Sequence, residues 1–111
     1  MNDINSILIE GMVVEKPAIG DEENRAVFVI SNRHFYMQDG EQVEAKTAVT
    51  VVVRGKKLYD EVRARAALHR YVRVVGRIES ELYYLAGEWL PRIVVVAEHV
   101  EFTHRFGRPS S

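Results

Sequence analysis

"VTVVVRGKKLYDEV", residues 49–62, changes from strand-like to helix-like chemistry with no loop between. Val49, Thr50, Val51, Val52 and Val53 are all β-branched, and their stiff side chains favour an extended backbone. From Lys56 the period becomes helical. Leu58, Val62 and Ala66 recur every four residues with Tyr59 and Ala67 beside them, while Lys57, Asp60, Arg63 and Arg65 take the other faces. This pattern predicts an amphipathic helix of about three turns. Gly55 stands at the changeover, where a residue without a side chain lets the backbone leave strand geometry. Arg54, Lys56 and Lys57 therefore gather at a rim where a strand hands over to a helix.

Upstream, "INSILIEGMVVEKP" (4–17) predicts a first strand, with Gly11 marking a bulge or bend and Pro17 its end. After the acidic turn "GDEEN", "RAVFVISNRHFYM" (25–37) predicts a second. Asp39-Gly40 is a hairpin signal, so the third strand, over 43–54, pairs antiparallel with the second. Downstream, "RYVRVVGRIESELYYL" (70–85) predicts a fourth strand running on into an arm, "AGEW" (86–89) its turn, and "RIVVVAEHVEF" (92–102) a fifth. Five strands with a helix between the third and fourth is the order of the all-β, Greek-key oligonucleotide/oligosaccharide-binding barrel. An open α+β sheet has the same inventory. In the barrel reading the domain covers 1–103, the Leu58/Val62/Ala66 stripe plugs one end, and 104–111 form a flexible tail.

At 111 residues the chain is long enough for one domain with one core. Its 47% hydrophobic and 28% charged residues are the balance of a soluble globular protein. The absence of cysteine excludes a disulfide framework and thiolate metal sites, and fits a reducing compartment. No segment approaches the ~20 apolar residues of a membrane span, nor does the N-terminus read as a secretion signal, so a cytoplasmic protein is expected. The net charge of −1 argues against indiscriminate polyanion binding. It hides an asymmetry: residues 1–50 hold four basic residues against nine acids, a net −5, and residues 51–111 hold eleven against seven, a net +4. The second half is a candidate polyanion surface unless folding interleaves the halves.

"NSILIEGMVVEKP", "VVVRGKKLYDEV", "YVRVVGRIES" and "IVVVAEHVEF" resemble, in order and spacing, the bacterial single-stranded DNA-binding proteins. The similarity spans about residues 4–102. It implies this barrel, sequence-independent binding of single-stranded DNA, no cofactor, assembly as a homodimer or homotetramer, and a nucleoid-associated role in replication, recombination or repair beside other proteins of those processes. It also implies base-stacking aromatics late in the second strand, early and at the end of the third, and on the arm after the fourth. This sequence keeps Tyr83 and Tyr84 on the arm and His34, Phe35 and Tyr36 on the second strand. Ala48 stands where the family usually has a tryptophan, and Arg54 where an aromatic precedes Gly-Lys. A guanidinium can still stack on a base and contact phosphate; an alanine cannot. Weaker or differently routed binding than in a standard member is the expectation.

A strand bound without regard to sequence offers a line of phosphates and the π-faces of its bases, so cations must alternate with flat side chains along a groove. Arg54, Lys56 and Lys57 supply cations at the barrel end. On the fourth strand, alternation sends Val72, Val74 and Gly76 to one face and Arg73, Val75 and Arg77 to the other. Tyr83 and Tyr84 follow, one expected to face a ligand and the other to pack inward, with Tyr83 the ligand-facing one; Phe35 and Tyr36 divide likewise. Trp89, placed in the turn, can clamp a base or pack on a neighbouring subunit. The plain alternative is that Arg73 and Arg77 are solvated residues paired with Glu79 or Glu81, and that Lys56 and Lys57 are an exposed first helical turn.

Catalytic signals are missing: there is no G-x-S-x-G elbow, Walker loop or H-E-x-x-H pair. His99 and His104 lie five apart without a local carboxylate–histidine array, and Glu79, Glu81 and Glu88 sit on the arm, so neither metal binding nor nuclease chemistry is expected. A competing reading is a paralogue acting mainly through protein contacts, like a primosome or replication-restart factor, with weak nucleic-acid binding. Loss of the aromatic at Ala48 and an ending "GRPSS" without an acidic tip favour it; the intact helix opposes it. The apolar "ILIEGMVV" and "IVVV" runs exceed what one small barrel can bury, which predicts pairing between first strands across a two-fold axis.

Overall fold

The computed structural model describes residues 3–20 and 23–103. The tail expected at 104–111, with His104, lies outside the described residues. Five strands and one helix follow in the expected order: β1 (Ile7–Gly20), β2 (Arg25–Gln38), β3 (Glu41–Arg54), α1 (Lys56–Arg65), β4 (Tyr71–Leu85) and β5 (Glu88–Thr103). The strands close into a barrel in the order β1-β2-β3-β5-β4, with β4 returning to β1. This is the oligonucleotide/oligosaccharide-binding architecture, and closure rules out the open sheet.

Two glycine-assisted turns set the long hairpins. Asp39 and Gly40, at φ 50° and 80°, join β2 to β3 in an unbroken register from Arg25 opposite Arg54 to Gln38 opposite Glu41. Ala86 and Gly87, at φ 52° and 84°, join β4 to β5. The second turn is two residues long, so Trp89 belongs to β5, opposite Tyr84, and not to the turn expected at 86–89.

β1 works on both its edges. Ile7–Met12 pair with β4, and from Met12 the strand pairs with β2 instead. Gly11 sits at this bend, where a Cβ would lie 2.5 Å from the Ser31 carbonyl oxygen; only glycine lets the two backbones close so tightly. Pro17 does not end the strand. The register slips between Glu15 and Ala18, so a bulge absorbs the missing N–H of proline and the ladder resumes to Gly20.

The main core is built from Val13, Phe28, Ile30, Val51, Val53, Val72, Val74 and Val100, with Phe28 and Phe102 rings 6.3 Å apart. Gly55, at φ 90°, turns β3 into α1, as the sequence demands. The helix buries Tyr59 and Val62, with Ala66 just past its end and Leu58 at the margin. The plug is thus the expected stripe turned by about 30° toward Tyr59, which takes the innermost place beside Val62 and Ala66 while Leu58 moves to the edge.

Candidate nucleic-acid interface

Cross-strand partners share a face of a sheet, so the register maps one outer surface of the barrel. Arg25 lies opposite Arg54 and Val27 opposite Val52. Val52 lies beside Val96 across the parallel β3–β5 contact. Val96 faces Arg77, Val94 faces Glu79, Arg92 faces Glu81 and Leu90 faces Tyr83. These side chains form one continuous surface over β2, β3, β5 and β4.

At its centre Val52, Val94 and Val96 pack with Val27 into a second apolar cluster, separate from the barrel interior. Val51, Val52 and Val53 are all fully buried, which breaks the in–out alternation expected of a barrel strand. The reason is the border of long side chains whose aliphatic stems can cover valine while their charged heads stay in water.

Those heads are joined in a network. Glu81 accepts from Arg25 at 3.0 Å and from Arg92 at 2.9 Å. Arg54 donates to Glu79 at 3.3 Å and lies 4.0 Å from Glu81. Arg77 donates to Glu79 at 2.7 Å and to Glu98 at 3.1 Å. The Arg92 guanidinium also stands 5.1 Å from the centre of the Tyr83 ring, a cation–π contact. The Glu81 side chain is 16% exposed. Its burial opposes ionisation, but hydrogen bonds from Arg92 and Arg25, and their charges, outweigh it and hold the carboxyl below its ordinary range.

Of the residues singled out from the sequence, Arg54, Arg77 and Tyr83 are brought together here. Arg73 lies further along the same face of β4, held to Glu10 at 3.0 Å with Glu101 at 4.0 Å. Lys56 and Lys57 are exposed on α1, and Lys56 pairs with Asp60 at 3.1 Å within the helix, so the basic run at 54–57 divides between two surfaces. Tyr84 and Trp89 occupy the opposite face of the arm as a T-shaped pair 5.3 Å apart, 61% and 65% exposed. Neither arm tyrosine packs inward: Tyr83 is half-buried beside Arg92 and Tyr84 is open.

The β2–β3 arm repeats this lesson. Phe35 and Tyr36 are both exposed and neither is core, because the hairpin ribbon extends past the barrel and, among the described residues, no core lies against either of its faces there. Arg33 lies 6.0 Å from the Phe35 ring, and His34 packs against Tyr36 at 6.2 Å. Ala48 lines an apolar cleft of about 310 Å³ with Ile7, Ile9, Ile78 and Ile93. Among the described residues no three or more histidine, aspartate or glutamate side chains gather as a metal site would require.

Arg25 and Arg92 were missed in the sequence because each opens a strand and reads as a boundary residue. The signal was present in the hairpin turn: a two-residue loop at Ala86-Gly87 puts Arg92 opposite Glu81.

No family model and no curated protein sequence matches the chain. Solved structures do. The small single-stranded DNA-binding protein of Streptomyces coelicolor superposes with a TM-score of 0.72 over 93% of this chain and 96% of its own, at 20% identity. The Plasmodium falciparum single-stranded DNA-binding protein, in complex with single-stranded DNA, superposes with a TM-score of 0.76 over 92% and 95%, at 15% identity. The chain has the fold of these single-stranded DNA-binding proteins.

Proposed function

We propose that the chain binds single-stranded DNA without reading its sequence, in replication, recombination or repair, by phosphate neutralisation and base stacking and without a covalent step. The observation that carries this is the Arg54–Arg77–Arg92 surface with Tyr83 at its end, on a barrel shared with proteins that bind such strands. Arginine forks suit phosphate, and Tyr83 offers a flat face beside them. Phe35 and Arg33 extend the same side of the β2–β3 ribbon; Tyr84, Trp89 and His34 become available to a strand that crosses an arm's edge. Lys56, Lys57 and Arg73 flank the path.

Titration of Trp89 fluorescence with oligo-dT at several salt concentrations tests this. Each phosphate contact contributes about −0.7 to the slope of log affinity against log salt. Arg54→Ala lowers affinity and flattens the slope by about that amount; absence of saturable binding by the wild type contradicts the function.

Assembly is part of the proposal. On its side away from β4, the Ile7–Gly11 segment of β1 has no strand partner among the described residues, and the Asn32 amide reaches over to donate to the Glu10 carbonyl. Leu8, Ile78, Leu82 and Ile93 are exposed, and the last three share one face of the β4–β5 arm. Pairing of two β1 edges across a two-fold axis, as a homodimer or the core of a homotetramer, covers this apolar surface. The same surface favours the second reading, a paralogue acting through protein contacts with weak strand binding. Light scattering at micromolar concentration separates a self-associating chain from a monomer awaiting another protein.

A further inference from the structure

Four arginines clustered on the outer face are already occupied. Arg25, Arg54, Arg77 and Arg92 share three carboxylates, those of Glu79, Glu81 and Glu98, which leaves this cluster a single net positive charge. The mode of contact is the one a phosphate would use. Arg25 Nη2 donates to both oxygens of Glu81, and Arg92 offers Nε at 3.3 Å and Nη2 at 2.9 Å to one of them, a two-pronged grip. Glu79 bridges Arg54 to Arg77 in the same way that a backbone phosphate bridges two cations.

The geometry points to Glu79 and Glu81 as built-in competitors for the phosphate backbone: in the free protein they hold the arginines a strand would take, so that binding exchanges carboxylate for phosphate. This deepens, and rests on, the strand-binding function proposed above. The Arg54 and Arg77 side chains are 46% and 40% exposed, so their pairs with Glu79 are of the solvent-screened kind that another anion can displace, while the more enclosed Glu81 holds Arg25 and Arg92 more firmly. Holding the forks over the valine cluster also keeps them extended and aligned, which lowers the ordering cost when phosphate arrives. A strand meeting this surface therefore gains less charge neutralisation than four arginines would give, and its binding is less steep in salt. Glu79 and Glu81 are thereby affinity-setting residues, although they touch no ligand in the bound state.

The test uses the intact chain and its Glu79→Gln, Glu81→Gln and doubly substituted forms, titrated with oligo-dT between about 50 and 200 mM salt. Each glutamine is expected to tighten binding about tenfold at the low-salt end and to steepen the slope by about 0.7. A thermal melt without DNA confirms folding; should Glu81→Gln fail to fold, Glu79→Gln, on a more exposed carboxylate, carries the test alone. A purely structural role for the carboxylates would loosen the arginines and weaken binding. Wild type that binds, with glutamine forms that bind equally or more weakly at unchanged slope, overturns the inference and leaves the function standing. No binding by the wild type or any variant overturns both.

Discussion

Alternate residues of β4 build two surfaces of opposite character. Arg77, Glu79, Glu81 and Tyr83 face one way, ion-paired or stacked and at least half-covered. Ile78, Leu82 and Tyr84 face the other, with Ile93 and Trp89 from β5 beside them, all more than 40% exposed. The charged face is satisfied within a single chain and the apolar face is not. A partner meeting the first must exchange for contacts already made, as a polyanion can; a partner meeting the second only has to cover it, as another barrel can.

The largest effect that separates them is on mass. Ile93→Glu places a charge in the centre of the apolar face, and light scattering is expected to show a monomer where the wild type is a dimer or larger. A monomeric wild type would remove the contrast, since the apolar face would then have no copy of itself to cover it. Next comes the paired test of the two arm tyrosines. Tyr83→Ala removes a stacking platform and is expected to weaken oligo-dT binding about tenfold with no change in salt slope. Tyr84→Ala is expected to leave affinity alone and to shift the emission of Trp89, its T-shaped partner. Equal losses from both would mean that the strand crosses the arm's edge.

The smallest effect is on acid stability. Glu81 is held below the ordinary carboxylate range in the folded chain, so the unfolded chain binds its proton first as pH falls. Its contribution is fully present above the unfolded value of about 4.3 and is lost as pH drops through the lower folded value. Urea unfolding below about pH 4.5 should therefore show a shallower acid loss in Glu81→Gln than in the wild type.

Much of this architecture can be read from the chain. The switch from β-branched run to four-residue period at Gly55 placed the helix, and Asp39-Gly40 placed a hairpin, because both depend on local backbone preference. Pro17 misled because a bulge, which is a tertiary accommodation, carried the strand past it. The aromatic assignments at 35–36 and 83–84 assumed that every alternate residue has a core to enter. Both hairpins outrun the barrel, and beyond its rim alternation separates two wet faces. The arginine network was the least legible part, since Arg25 and Arg54 belong to the β2–β3 hairpin and Arg92 to the β4–β5 hairpin, and only the parallel β3–β5 contact brings the two hairpins together. Charge counting pointed to residues 51–111, yet Arg25 comes from the acidic half.

The most direct measurement follows the arginine side-chain Nε–Hε resonances of the intact protein by NMR as oligo-dT is added. Arg25, Arg54, Arg77 and Arg92 are expected to shift together and to saturate at one stoichiometry, as carboxylate contacts give way to phosphate. Shifts confined to Arg63 and Arg65 of α1, with those four unmoved, would contradict the claim that the strand follows this face.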